Sequence, residues 1–220
     1  MSLFYPEGFF IQWYREHGRW FPWRDSQVSP YGMLIAEMML RQTLAHMVVP
    51  VWQAFMSEYP FPAACAGASP AALFKLLAPL GLGQQRAEAL QLVSTALLER
   101  HNGQVPASID QLLKLQHVGL YAAHAVACFA YGQRVPVVDV NIIRMFSRLT
   151  GTRFPPDNRK AKAVWELATQ ILPAKHVREH NYGLLDFAAQ VCIARRPACG
   201  SCLLREHCNF GREAVQGKEG

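Results

Sequence analysis

The chain has 220 residues, 51% of them hydrophobic, with five Trp, twelve Phe and seven Tyr, which supports one large or two small packed domains and excludes a disordered chain. Its net charge of +6 is uneven: residues 1–139 hold nine Lys and Arg against nine Asp and Glu, residues 140–220 thirteen against seven. A basic C-terminal third suits a polyanion, although a merely solvated surface has the same composition.

The N-terminal MSLFYPEGFFIQWYREHGRW lacks the order of a signal peptide, and no apolar run of eighteen residues is free of charge, so neither export nor a membrane span is expected. A cytoplasmic location follows as an expectation. From there on, helical periodicity dominates. Apolar residues recur at three- and four-residue spacing over 33–59, 69–80, 86–101, 108–116, 122–131, 140–150 and 159–172. Ser69-Pro70 and Ser108 look like helix starts, with Pro70 at the first helical position. Gly and Pro breaks fall between the segments. Only VPVV (135–138) reads as a strand, and it is too short to build a sheet. The expected class is all-α.

Four of the six cysteines crowd into VCIARRPACGSCLLREHC, residues 191–208, at spacing C-x6-C-x2-C-x5-C: Cys192, Cys199, Cys202 and Cys208. In a reducing compartment such a cluster points to metal before disulfides. Structural zinc favours two short-spaced pairs, and only Cys199 and Cys202 form one. A single loop carrying four thiols suits a cubane iron–sulfur core. The spacing by itself leaves iron–sulfur, zinc and disulfide readings open.

That C-terminal spacing resembles the cluster signature of the endonuclease III-like branch of helix-hairpin-helix DNA glycosylases. The resemblance implies a [4Fe–4S] cofactor on Cys192, Cys199, Cys202 and Cys208, with Arg195, Arg196 and Arg205 beside the loop reaching DNA phosphates. It also implies a helix-hairpin-helix at about 112–131. The usual hairpin reads L-P-G-V-G; this chain has Leu115-Gln116-His117-Val118-Gly119. Gly119 is expected to serve the tight turn, and the amides of Gln116 to Gly119 to grip a phosphate. His117 is either a side-chain phosphate contact or an exposed turn residue, and the altered turn leaves open whether a monovalent cation binds there.

Asp139 precedes a helical segment and reads as an N-cap, a place that stabilises its anion. The motif Val138-Asp139-Val140-Asn141 resembles the family's V-D-x-N. That resemblance makes Asp139 the catalytic aspartate and Asn141 its support, and counts Asn141 and Arg144 among the DNA-facing residues. Two residues after Gly119, where bifunctional relatives place a Schiff-base lysine, stands Tyr121, as in Mig-type G:T-mismatch thymine glycosylases. Ala36-Glu37-Met38-Met39-Leu40-Arg41-Gln42-Thr43 resembles motifs of both MutY adenine glycosylases and Mig. Glu37 is either a partly buried proton donor or the partner of Arg41 in a surface i, i+4 pair. LGLGQQRAEAL (80–90) resembles the Mig pattern, which makes Leu82 and Gln42 the wedges that fill the gap left by an everted base.

The resemblance implies a six-helix barrel over 27–136 and a cluster lobe made of 1–26 and 137–220. It implies a monomeric, monofunctional glycosylase of base excision repair, acting in the bacterial or archaeal nucleoid on double-stranded DNA with a mispaired or damaged base. Thymine or uracil opposite guanine is the expected substrate. Catalysis is assigned to Asp139, Glu37 and Tyr121. Two alternatives are a MutY-like adenine glycosylase lacking the C-terminal recognition domain, and a non-catalytic mismatch-binding iron–sulfur module.

Overall fold

The computed structural model describes residues 8–157 and 160–216. Its helices are α1 (Phe9–His17), α2 (Pro30–Met39), α3 (Ala45–Glu58), α4 (Pro62–Ala66), α5 (Pro70–Leu77), α6 (Gly83–His101), α7 (Ile109–Leu113), α8 (Leu120–Phe129), α9 (Val140–Thr150), α10 (Lys162–Gln170), α11 (Val177–Gln190) and α12 (Asn209–Gln216). Among the described residues there is no strand, so VPVV is irregular backbone. No described helix is long and apolar enough to cross a membrane. The chain forms two compact units: Trp20–Tyr131 is one, and the described residues on either side form the other.

In the Trp20–Tyr131 unit, α2 is buried from Tyr31 to Met39, as expected of a helix that is apolar all round. Ser29 caps it, its hydroxyl accepting from the Gly32 amide at 3.1 Å, and Pro30 takes the first turn. Helices α3, α6 and α8 surround it, while α4 and α5 pack on α6 and α7 on α8. The periodic run 33–59 is two helices, not one, because the chain turns between Met39 and Ala45. A side chain from α6 takes up the carbonyls at that turn, as described below. Ser69 and Ser108 do precede helices, but neither side chain makes a cap hydrogen bond.

In the other unit, α1 lies along α11, which also packs on α9, and α12 covers α9. Gly183 lets α1 and α11 approach closely: a Cβ there would strike the carbonyl of Phe10. The Asp186 carboxylate is fully buried and takes the Arg19 amide at 2.8 Å and the Arg19 guanidinium at 2.6 and 2.9 Å. Asn181, also fully buried, accepts from the Val137 amide at 3.0 Å and donates to the Val135 and Val177 carbonyls at 3.1 Å. It fixes the irregular segment that leads into α9.

Candidate functional site

Within the Trp20–Tyr131 unit, Met38, Met39, Arg41, Gln42, Leu82, Gln85, Arg86 and His117 line an open cavity of about 300 Å³. Three of its lining residues, Gln42 (φ 56), Leu82 (φ 54) and His117 (φ 67), hold left-handed backbone although none is glycine. Each such residue costs on the order of 1 kcal/mol, and this kind of strain gathers at functional sites. Leu82 is 59% exposed despite being apolar. The two sequence-predicted wedges therefore share one concave surface with the hairpin turn.

The hairpin turn differs from expectation in one respect. Gly119 has φ −93 and ψ 176, ordinary extended backbone, and a Cβ there would meet nothing within 4 Å. The left-handed residue is His117, two positions earlier. Gly119 is thus not needed for the turn itself; its bare backbone leaves room for a close ligand approach. Gln116 and His117 are exposed, whereas the Val118 side chain is buried, so Val118 can offer a ligand only its backbone. The Arg41 guanidinium makes a long 3.5 Å contact to the His117 carbonyl.

Glu37 is 4% exposed in the middle of α2. The surface pair with Arg41 is ruled out, since Arg41 is exposed and Glu37 is not. Tyr121 lies half-buried in the first turn of α8.

In the other unit, Asp139 caps α9 as expected: its Oδ1 accepts from the Ile142 amide at 2.8 Å. Its Oδ2 accepts from Asn141 Nδ2 at 2.6 Å. Burial raises the carboxyl pKa above the ordinary aspartate value of 3.8, opposed by the donors of Ile142 and Asn141 and the charge of Arg144. The carboxyl is therefore a weaker acid than its capping position alone suggests.

Arg144 continues the chain of contacts. It donates to Asn141 Oδ1 at 2.9 Å, to the Cys192 carbonyl at 2.9 Å and to the Ala188 carbonyl at 2.9 Å. Its guanidinium is thus engaged inside the protein, unlike Arg195 and Arg196, which are exposed. Arg205 is half-buried and paired with Glu206 at 2.6 Å.

Cys192, Cys199, Cys202 and Cys208 all line one cavity, walled by Met145, Leu149, Phe187 and Leu204. Arg148, not singled out by sequence, braces the loop. Its guanidinium donates to the carbonyls of Cys192 (3.2 Å), Ile193 (2.7 Å) and Ala194 (2.9 Å), approaches Cys192 Sγ at 3.4 Å and sits 4.9 Å over the Phe210 ring. The Gly211 amide points at Cys208 Sγ, 3.3 Å away. Burial, with the neighbouring cysteines adding to it, pushes the Cys202 and Cys208 thiols up. Binding a cationic core would release those protons. Four thiols, a guanidinium and an aimed amide form a donor set fitted to an anionic, thiolate-held group. Among the described residues, no three His, Cys, Asp or Glu side chains are grouped to hold a single metal ion.

Residues 35–170 match the HhH-GPD superfamily base excision DNA repair protein family. The chain is 38% identical over 201 residues to a thymine/uracil-DNA glycosylase of Pyrobaculum aerophilum, covering 88% of this chain and 86% of that one. It is also 38% identical over 195 residues to an adenine DNA glycosylase of Mycobacterium tuberculosis, covering 88% of this chain and 64% of the relative. A solved thermostable thymine-DNA glycosylase superposes with a TM-score of 0.86 at 31% identity, over 93% of this chain and 94% of that one. The chain belongs to the HhH-GPD superfamily of base excision DNA repair proteins.

Proposed function

We propose that the chain is a monofunctional DNA glycosylase that removes thymine or uracil mispaired with guanine from double-stranded DNA. The observation that carries the reading is Asp139: a carboxylate capping a helix, with one oxygen on a backbone amide and the other on Asn141. A simple cap needs only the first of these. The second holds the carboxylate still, as a group that meets developing positive charge must be held. The likeness to thymine/uracil-DNA glycosylases supplies the base.

In the proposed reaction, Leu82 and Gln42 enter the duplex as the target nucleotide leaves the stack. The bond from C1′ to the base nitrogen breaks, and the sugar gains oxocarbenium character that anionic Asp139 stabilises. Water adds at C1′, and its proton is taken up by the departing base or by the catalytic carboxylates. Glu37 protonates or hydrogen-bonds the base, or orients the water; Tyr121 packs on the everted nucleotide. With tyrosine at 121 no amine stands there to form a Schiff base, so the sugar–phosphate chain is left intact.

Cys192, Cys199, Cys202 and Cys208 would hold a [4Fe–4S] cluster whose chemistry here is structural, tying the loop that carries exposed Arg195 and Arg196. Those two arginines would grip DNA phosphates, as would the backbone amides of Gln116 to Gly119, and the protein would act as a monomer.

A second reading, adenine removal, is favoured by the 38% identity to the mycobacterial adenine glycosylase. Excision from duplexes carrying G:T, G:U and adenine opposite 8-oxoguanine separates the two. Release of thymine or uracil with Asp139→Asn inactive is the expected result. Release of adenine alone supports the second reading, and binding without release of any base overturns both.

A further inference from the structure

Arg86, on the first turns of α6, has five N–H donors and uses all of them inside the protein. Its Nε donates to the Gly81 carbonyl at 2.9 Å. Nη1 donates to the Met38 and Met39 carbonyls at 3.3 and 3.0 Å. Nη2 donates to the Arg41 carbonyl and to Thr43 Oγ1, both at 2.7 Å. One guanidinium thus ties the loop before α6 to the turn between α2 and α3. It also lies at the carbonyl end of α2, where unpaired carbonyls and the helix dipole favour a cation.

These two segments are the ones that carry the exposed, left-handed residues. Gln42 stands between Arg41 and Thr43, and Leu82 follows Gly81. Neither φ of 56 nor φ of 54 is held by glycine, so each loop would relax toward ordinary backbone unless something over-determined it. The Arg86 amide also donates to the Leu82 carbonyl at 3.0 Å.

We propose that Arg86 is a positioning residue that holds Gln42 and Leu82 in register with one another and makes no contact with DNA itself. The proposal rests on the reading of those two side chains as wedges. It separates Arg86 from the exposed arginines: a guanidinium with no donor left over cannot grip a phosphate. Lysine cannot replace it, because a point ammonium with three donors cannot serve five acceptors fixed in a fork.

The test is a mutant cycle in the full-length protein. Two signals are followed: fluorescence of 2-aminopurine placed beside a G:U mismatch, and the single-turnover release of uracil. Fluorescence is read in the Asp139→Asn background, so that no base is lost. Arg86→Lys and Arg86→Met are expected to lower both signals about tenfold, the same loss expected of Gln42→Ala with Leu82→Ala, while binding to matched duplex keeps its salt dependence. Adding Arg86→Met to the doubly wedge-less protein is expected to change release by less than about twofold.

The same tenfold loss in that background, or a flatter salt dependence of matched-duplex binding, would overturn the proposal. Thr43→Val removes one of the five Arg86 acceptors, together with the hydroxyl's own 3.2 Å bond to the Arg41 carbonyl, and guards against misfolding of the Arg86 variants. It should give the same pattern at smaller size with an unchanged melting temperature, and an unchanged fluorescence signal would count against the proposal. If wild-type protein releases no base from any mismatch, the glycosylase reading fails, and the fluorescence arm alone then decides the role of Arg86.

Discussion

Asn141 Nδ2 lies 2.6 Å from Asp139 Oδ2, and the same Asn141 offers its Oδ1 to Arg144 at 2.9 Å. The amide is therefore oriented by the arginine so that its NH2 group faces the carboxylate. A hydrogen bond to a charged group contributes about 1.5–3 kcal/mol, so Asn141→Ala should slow base release by roughly ten- to a hundredfold. It should also shift the pH profile. Burial already raises the Asp139 pKa above 3.8, and Asn141 opposes that rise. Without the donor the anion forms only at higher pH, and the acidic limb of kcat/KM moves up. A slower enzyme with an unmoved acidic limb would refute this role.

His180 sets an acid limit on stability. It is 3% exposed against the Phe10 ring, and its Nε2 has no hydrogen-bond partner. Burial pulls its pKa from 6.5 down to about 4. In the unfolded chain the ring takes a proton below 6.5, but in the folded protein it does so only near 4. Stability is thus complete above 6.5 and is lost as pH falls, by roughly 3 kcal/mol in all. Denaturant unfolding of wild type and His180→Leu at pH 7.5 and 4.5 checks this: the variant should lose distinctly less stability on acidification.

Gly183→Ala should damage the α1–α11 contact. The added Cβ meets backbone, not a side chain that can swing away, with the Phe10 carbonyl carbon at 2.8 Å. Overpacking of this kind costs about 1–3 kcal/mol, and a clash with backbone belongs at the upper end. A thermal melt should show a lower Tm, whereas Gly200→Ala, where a Cβ has open space, should leave it unchanged.

The hairpin gives a paired prediction. His117→Val puts a β-branched residue at φ 67 and should cost about 1–2 kcal/mol of stability. His117→Gly should be neutral or slightly stabilising. Gly119→Ala sits in extended backbone with open space around its Cβ, so it should fold normally and weaken duplex binding instead. Equal destabilisation by Gly119→Ala and His117→Val would reverse the assignment of roles in this turn.

How much of this could be read in advance varied with the range of the interactions involved. Helix α9 was legible to its last residue, because its capping Asp139, its apolar stripe and the Gly151 after it are local signals. The cysteine loop was legible for the same reason: all four thiols lie within one short stretch. Helix α11 was not, because His180, Asn181 and Asp186 interrupt its apolar pattern and are nevertheless buried. Apart from the Val177 carbonyl within the same helix, what satisfies Asn181 and Asp186 lies more than forty residues away, in Val135, Val137 and Arg19. The break in 33–59 was hidden likewise, since Arg86 is over forty residues downstream of the carbonyls it holds. The family resemblance marked Leu82 and Gln42, but only backbone angles reveal that both are held in unfavourable conformations.

Asn181 stands in for a neighbouring strand: its single amide satisfies the backbone of 135 and 137 on the approach to Asp139. The approach to Asp139 is thereby moored to α11 by Asn181, and Arg134 ties the start of the same segment to the Leu172 and Pro173 carbonyls. A change in chain length between Gly151 and Leu172 that keeps both of these anchors should therefore leave Asp139 in place.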